Sequence, residues 1–208
     1  MPRTTIDRFE QRKATRARLV DAALELFSTS GYEHATVDDI SHAAGYSKGA
    51  YYFHFSTKDD ILLELLRMWT EDRTATLAGA AENGAGSGDG LRETLGAFFA
   101  YENARWPAVL LEFWSQAVRH QEVSKRMTAA YAGWRRTIAG AFAAADGLRI
   151  ESAEDAATVV LAAHDGYAVQ RAIGSPGGKL MSPAELADSI IAPLEAAEVA
   201  MERRSAAM

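Results

Sequence analysis

The chain has 208 residues, of which 48% are hydrophobic and 24% charged, a composition typical of a soluble globular protein. It contains no cysteine, which excludes disulfides, cysteine zinc ligands and cysteine nucleophiles. No apolar run approaches the ~18 residues of a membrane span. The first thirteen residues are too polar for a signal peptide, so we expect a cytoplasmic protein without a membrane partner.

The net charge of −6 argues against a uniformly basic nucleic-acid binder. The charge is unevenly distributed, however. Residues 1–58 carry 8 basic and 7 acidic side chains, whereas residues 59–208 carry 14 basic and 21 acidic ones. A basic end on an acidic body is the pattern expected if only that end meets phosphate, although a solvated charged tail gives the same pattern.

Apolar residues recur at spacings of three and four and strand-like alternation is absent, which predicts an all-α protein. Four helices are predicted before residue 83, at about Arg12–Ser30, between Thr36 and Gly45, at Ser47–Phe53 and from Thr57 to about Glu82. After a glycine-rich loop at Asn83–Gly90, five more are predicted at about Leu91–Ala104, Pro107–His120, Glu122–Ala145, Ala153–Ile173 and Pro183–Arg203, which gives about nine helices.

Three consecutive helix starts between residues 35 and 61 each begin with a capping hydroxyl. Thr36 and Thr57 are each followed three residues later by an aspartate, which resembles a capping box, and Ser47 can cap the third helix. Gly45 lies between the second and third helices, where a tight turn requires a residue that tolerates positive φ. Two short helices joined by such a turn form a helix-turn-helix.

The third helix has unusual residues for a core element. Lys48 can reach phosphate or guanine, Gly49 permits close approach of the backbone, and Tyr51 and Tyr52 can contact phosphate or a thymine methyl group. Lys58 lies at the start of the fourth helix, where free N–H groups also favour phosphate. These residue types indicate a DNA-reading helix, and a small packed three-helix core is the competing interpretation.

The stretch from residue 16 to residue 61, RARLVDAALELFSTSGYEHATVDDISHAAGYSKGAYYFHFSTKDDI, resembles the N-terminal domain of the tetracycline-repressor (TetR) family. The resemblance implies a three-helix DNA-binding domain at residues 1–56 and a helical ligand-binding and dimerisation domain at residues 57–208. Tyr51 stands where the family often has an aliphatic residue, so the sequence leaves open whether it reads a base or packs. The implied DNA-binding residues are Thr36, Ser47, Lys48, Gly49, Tyr51, Tyr52, His54 and Lys58.

The middle helices are rich in aromatic residues, which describes a ligand pocket as well as an ordinary helical core. Because the resemblance implies an effector site in this part of the chain, we predict a pocket for a largely apolar or aromatic small molecule. Core packing is the alternative for each residue by itself. The pocket candidates are Trp69, Phe99, Glu102, Trp106, Phe113, Trp114, Tyr131, Trp134, His164, Tyr167 and Arg171.

The last two predicted helices carry small and apolar residues at helical spacing, interrupted by Pro193. The resemblance implies that these helices from two chains form a four-helix bundle, and an intrachain core is the alternative. The predicted dimer residues are Val160, Leu186, Ile190, Leu194, Ala197 and Met201.

These features predict a homodimeric repressor that binds a pseudo-palindromic double-stranded operator and is released by a small-molecule effector. A constitutive DNA-binding protein without an effector is the alternative. An all-helical enzyme is disfavoured because the sequence has no metal-ligating histidine pair, phosphate-binding glycine loop or cysteine nucleophile. We therefore expect no catalytic residues, no metal and no cofactor.

Overall fold

The computed structural model describes residues 5–84, 88–101, 103–145, 148, 152–174 and 179–206, and their side chains except at 5–7, 88 and 197–206. These residues form nine α-helices and no strand, which confirms the predicted fold class. The helices are α1 Thr5–Thr29, α2 Val37–Ala43, α3 Lys48–His54, α4 Lys58–Asn83, α5 Gly88–Phe99, α6 Trp106–Ala117, α7 Gln121–Ala144, α8 Ala153–Ile173 and α9 Pro183–Ala206.

Two helix boundaries differ from the prediction by more than one helical turn. Helix α1 begins at Thr5 rather than at about Arg12, because no glycine or proline interrupts the residues between them. Helix α5 ends at Phe99 rather than at Ala104. Pro107 stands in the first turn of α6, where proline favours a helix start, so the residues before α6 form a connection instead of extending α5.

The chain divides into two compact units. The N-terminal unit comprises Met1–Trp69 and Asn103–Ser124, and the C-terminal unit comprises Thr70–Glu102 and Lys125–Met208. The predicted division at residues 56 and 57 is a functional one between DNA binding and ligand binding, and it stays a prediction. None of the helices in the described part of the chain is long and apolar enough to cross a membrane.

The core of the N-terminal unit is built on one face of α1. Leu19, Ala23 and Phe27 are buried there at the helical spacing that the sequence predicted, and Ile40 of α2 is also fully buried. Gly31 follows α1 with φ of +80°, a conformation that favours glycine. The Phe27 and Tyr32 rings meet edge to face with centroids 5.3 Å apart, so the chain that leaves α1 packs back on its end.

An ionic cluster joins α1 to α4 within the N-terminal unit. The Glu64 carboxylate is only 8% exposed and accepts hydrogen bonds from Arg16 at 2.5 Å and from Arg67 at 2.7 Å. Hydrogen bonds from these two guanidinium groups lower the pKa of Glu64 to about 2. The ionised carboxylate therefore holds the start of α4 against α1.

The core of the C-terminal unit consists of aromatic and aliphatic side chains from five helices, α5, α7, α8, α9 and the end of α4. Phe98 of α5 and Trp134 of α7 are buried with ring centroids 5.7 Å apart. On α5, Arg92 pairs with Asp188 at 2.9 Å and with Glu195 at 2.6 Å, both on α9. The other buried core residues of this unit include Leu91, Leu95, Phe99, Ile138, Phe142, Ala157, Val160, Leu161, Ala168, Ala187 and Ile191.

The Glu64 cluster yields a prediction for stability. Since the pKa of Glu64 is lower in the folded state than in an unfolded chain, its stabilising contribution is present at neutral pH. That contribution is lost as the pH falls below the ordinary glutamate range towards 2. We expect Glu64→Gln to lower the free energy of unfolding at pH 7 by about 1–3 kcal/mol, because it removes a buried carboxylate that accepts hydrogen bonds from two guanidinium groups.

Urea unfolding of both proteins between pH 7 and pH 2 measures this difference. It should shrink as the pH falls, and Glu10→Gln on the exposed part of α1 is the matched control. A difference that stayed constant down to pH 2 would contradict the assignment.

Candidate DNA-binding surface and effector site

The turn between α2 and α3 has the geometry that the sequence predicted. Thr36 caps α2 in a full capping box, in which its hydroxyl accepts from the Asp39 amide and the Asp39 carboxylate accepts from the Thr36 amide. Gly45 has φ of +76° between the helices, and Ser47 caps α3 by accepting from the Ala50 amide. The Thr36 hydroxyl also donates to Asp39, so its role in the structure is to fix the start of α2.

The exposed face of α3 is polar at its start and aromatic further on. Ser47, Lys48 and Gly49 are exposed, and Tyr52 and Phe53 are 52% and 64% exposed. Lys48 Nζ lies 2.9 Å from the Asp38 carboxylate on α2, and the hydrogen bond raises the pKa of Lys48. The side chains available to a DNA groove on this helix are therefore those of Lys48, Tyr52 and Phe53.

Tyr51 is not part of that face, and the structure does not support the predicted groove contact. Its side chain is fully buried, its ring lies 5.7 Å from that of Phe55, and its hydroxyl donates to the Thr57 carbonyl at 2.9 Å. Burial raises the pKa of Tyr51. Of the two possibilities that the sequence left open, the structure has Tyr51 as a packing residue, because α3 turns it towards the core.

Lys58 and His54 lie at the edge of the predicted surface. Lys58 Nζ donates to the Tyr32 carbonyl at 2.7 Å and lies 4.2 Å from the centre of the Tyr32 ring, so it faces inward in the structure. His54 is half-buried, and its pKa is lowered by burial and by repulsion from Arg16 and Arg12. The phosphate contact of Lys58 and the DNA contact of His54, for which packing is the alternative, stay predictions, and Lys58 would have to exchange the Tyr32 carbonyl for phosphate.

A groove between α1 and α3 contains residues that the sequence reasoning did not select. It has a volume of about 370 Å³, and Arg12 lies 5.2 Å above the Phe53 ring at its edge. The other lining residues include Arg8, Gln11, Thr15, Tyr46, Ala50 and His54. Phe55 is apolar, which favours an inward position, and residue 51, four positions earlier, shares its face. Helical spacing therefore pointed to Phe53 as an outward residue.

The predicted effector residues fall into both compact units. Trp69 and Phe113 belong to the N-terminal unit, where both are buried with ring centroids 6.0 Å apart. Trp106 and Trp114 are half-buried in the same unit. Glu102 lies outside the described residues. The remaining candidates, Phe99, Tyr131, Trp134, His164, Tyr167 and Arg171, belong to the C-terminal unit.

The C-terminal unit brings part of this set together in a hydrogen-bonded chain. His164 is fully buried, its Nε2 lies 2.8 Å from the Tyr101 hydroxyl, and its Nδ1 lies 3.2 Å from the Asp165 carboxylate. Asp165 also accepts from the Tyr131 hydroxyl at 2.6 Å. Burial lowers the pKa of His164, which favours a neutral ring. We call Tyr101, Tyr131, His164 and Asp165 the polar relay.

The same unit contains a cavity of about 360 Å³ between the ends of α4, α5 and α7. Small and apolar side chains line most of it, with Thr94 and Thr137 among the polar ones. None of the predicted aromatic candidates is among its lining residues. The cavity can hold an apolar group of modest size.

The predicted dimer residues differ in exposure. Val160 is fully buried within the chain, so its assignment to a dimer surface is wrong, because α8 turns it towards the intrachain core. Leu186, Ile190 and Leu194 are half-buried on α9. Ala197 and Met201 are among the residues of α9 whose side chains the structure does not describe. On α8, Val159 and Ile173 are 60% and 67% exposed and extend the apolar surface that the sequence indicated.

Comparison with known families supports the interpretation of the helix-turn-helix. Residues 19–65 match the family of bacterial regulatory proteins named tetR. Residues 87–194, more than half of the chain, match the C-terminal domain of BetI-type transcriptional repressors. The chain belongs to the TetR family. It is therefore a DNA-binding transcriptional regulator.

Individual relatives agree with this assignment. An HTH-type transcriptional regulator of Bacillus subtilis, YwcC, is 52% identical over 56 residues, which cover 27% of this chain and 25% of the relative. The match to this curated relative thus spans about a quarter of its length. Two solved structures share the fold at 23% and 18% identity. The first is a putative transcriptional regulator from Saccharomonospora viridis in complex with choline, with a TM-score of 0.73 over 84% of this chain and 92% of that one. The second is FadR from Bacillus subtilis in complex with stearoyl-CoA, with a TM-score of 0.68 over 86% of this chain and 96% of that one.

The opposite placements of Tyr51 and Phe53 can be tested with two substitutions. We expect Tyr51→Phe to lower the free energy of unfolding by about 1 kcal/mol, since it removes a buried hydrogen bond. It should leave the base preference in DNA binding unchanged. We expect Phe53→Ala to change stability by less than about 0.5 kcal/mol and to weaken DNA binding. Thermal unfolding and fluorescence anisotropy with a duplex selected from random DNA measure both effects. If Tyr51→Phe changed the base preference without lowering stability, Tyr51 would contact DNA rather than pack in the core.

Proposed function

We propose that the chain is a homodimeric repressor that binds a pseudo-palindromic operator through α3 and is released by a small molecule bound in its C-terminal unit. The observation that carries this proposal is the exposed face of α3 beside the basic groove of α1, in a member of the TetR family. The effector of the proposed repressor has a largely apolar or aromatic body.

The exposed side chains of α3 suit the two kinds of DNA contact. Lys48 can donate to guanine acceptors or to phosphate, and Phe53 can contact a thymine methyl group. Tyr52 can donate its hydroxyl to phosphate. Arg8 and Arg12 on α1 add positive charge beside α3, which favours a negatively charged backbone over neutral partners. Together these groups provide both base reading and phosphate anchoring.

The exposed apolar residues of α8 and α9 support the homodimer. Val159, Ala162, Gly166 and Ile173 lie at helical spacing and are exposed on α8. Small residues in this row permit close approach of a second helix. A two-fold axis through such a surface relates two copies of α3, which makes the operator pseudo-palindromic.

A charge placed in this row tests the homodimer. We expect Val159→Lys to shift the protein towards monomer and to weaken operator binding together with dimerisation, since an interface core excludes unpaired charge. Sedimentation equilibrium and anisotropy titration measure the two effects. Thr128→Lys, at an exposed position of α7 in the same unit, is the matched control. An unchanged dimer in Val159→Lys would place the interface elsewhere.

The cavity of about 360 Å³ and the polar relay support an effector site in the C-terminal unit. The choline and stearoyl-CoA complexes named above support a small-molecule site in this fold. Those two ligands are chemically unlike each other, so they leave the effector of this chain to be inferred from its own residues. To release the operator, an effector must bind the DNA-incompetent conformation more tightly, and the coupling is reciprocal.

Selection of binding sites from random duplex DNA by the purified protein is the decisive test. We expect one pseudo-palindrome whose half-sites are separated by about one or two helical turns. Lys48→Ala should lower the slope of log affinity against log salt by about one unit if Lys48 contacts phosphate. Failure to enrich any sequence, also after unfolding and refolding to remove a bound ligand, would contradict the proposal.

The same operator tests the coupling. A small molecule that releases it should bind the free protein more tightly than the operator complex by the same factor. Equal affinities would favour a constitutive DNA-binding protein.

A further inference from the structure

Two arginines of the C-terminal unit differ from the other half-buried or buried arginines of the chain. Arg16, Arg73, Arg92 and Arg105 each lie within ion-pairing distance of a carboxylate. Arg171 of α8 has no such partner among the described residues, and its one hydrogen bond is a 3.5 Å contact with the Tyr167 hydroxyl.

The second arginine is Arg135 of α7, whose Nε is buried without a hydrogen-bond partner among the described residues. Each of the two stands four residues after a tyrosine, Tyr131 on α7 and Tyr167 on α8. Residues four apart are neighbours on a helix surface, so Arg135 lies beside Tyr131 and Arg171 beside Tyr167. Both tyrosines belong to one set of touching rings, which we call the aromatic cluster: Phe98, Phe99, Tyr101, Tyr131, Trp134, His164 and Tyr167. A half-buried guanidinium without an anion is unfavourable by itself and becomes favourable when an anion reaches it.

The polar relay does not use these guanidinium groups. Nε2 of His164 lies 2.8 Å from the Tyr101 hydroxyl and Nδ1 lies 3.2 Å from Asp165, while Tyr131 donates to Asp165. The relay is therefore satisfied internally. Arg73 donates to the Ala100 carbonyl and pairs with Asp72, so Arg171 is the cation of this cluster whose donors are left for a ligand.

The charges around Tyr101 also exclude one class of ligand. The Arg73 and Arg171 guanidinium carbons lie 6.0 and 5.9 Å from the centre of the Tyr101 ring, and Arg171 lies 5.8 Å from the centre of the Tyr167 ring. Aromatic rings bind quaternary ammonium groups through their faces, but here two cations already lie within that range. A third cation would be repelled by both.

We infer that the effector carries an anionic head group, a carboxylate or a phosphate, which Arg171 binds at the edge of this aromatic cluster while an apolar body fills the unit beside it. This inference rests on the proposed effector site and names the class of ligand that the site takes. Arg135 supplies additional positive charge from α7. Bidentate pairing of a guanidinium with a planar anion accounts for selectivity for the head group.

Probes with one body and different head groups test the inference. The probes are 4-phenylbutyrate, 3-phenylpropyl phosphate, the neutral 4-phenylbutyramide and the cationic 3-phenylpropyltrimethylammonium, with choline as a further cation. Binding to the purified full chain without DNA is measured by calorimetry and by the shift in melting temperature. At least one of the two anions should bind about tenfold or more tightly than the amide and both cations. Whichever of the two anions binds more tightly shows whether the site prefers a carboxylate or a phosphate.

Substitutions assign the selectivity to Arg171. Arg171→Met keeps the apolar stem and should reduce the preference for the anion to less than about twofold. Arg171→Lys keeps the charge without the planar fork and should restore part of the preference. Arg136→Met, at an exposed position of α7, should behave as the wild type. Circular dichroism melting of each variant verifies that it is folded.

The outcomes separate this inference from the proposed function. Tighter binding of the amide or a cation, equal binding to Arg171→Met, or no binding of any probe overturns the inference. Binding of an anion through Arg171 without release of the selected operator supports the inference and contradicts ligand-induced release.

Discussion

Burial of the Tyr51 ring in the core of the N-terminal unit fixes the orientation of α3. The ring of Tyr51 is buried against Phe55, and its hydroxyl reaches across to the start of α4. A helix of seven residues has few intrahelical hydrogen bonds, so its rotation about its own axis depends on such an anchor. Because Tyr51 faces the core, the side chains of Lys48, Tyr52 and Phe53 face solvent. The whole candidate DNA surface therefore depends on one buried side chain.

Charge distribution in the chain follows a consistent physical rule. Four of the six described arginines that are buried or half-buried lie beside carboxylates, as Arg105 does beside Asp21 and Glu25 on α1, and Glu64 accepts from two arginines at once. In the described part of the chain, two places combine unpaired positive charge with a candidate ligand surface, the exposed surface of α1 and the aromatic edge of the C-terminal unit. Phosphate is the expected partner at the first place. An anionic head group is the inferred partner at the second, which makes the two sites similar in electrostatics and different in shape.

Local signals in the sequence predicted the helix-turn-helix well and the orientation of side chains less well. The caps at Thr36 and Ser47 and the turn at Gly45 depend on neighbouring residues, so they could be read directly. The burial of Tyr51 and of Val160 depends on which helix packs against which face, and that information is tertiary. Both residues sit in sequence patterns that fit a surface or a core equally well.

The aromatic candidates for the effector site illustrate the same difficulty. In the sequence, Trp69 and Phe113 are aromatic candidates just as Trp134 and Tyr167 are, but they belong to the core of the other compact unit. Arg171 was among the candidates, but only the structure reveals that no described carboxylate accompanies it.

The exposure of Phe53 and Tyr52 has a consequence for how such regulators diversify. Neither side chain contributes much to the core, so replacing it has little effect on folding, whereas the buried anchor beneath them is constrained by packing. Operator preference can therefore drift through single substitutions in duplicated genes without passing through poorly folded intermediates. The anchor and the proposed reading residues are adjacent in sequence, yet only the anchor is constrained by packing in the core.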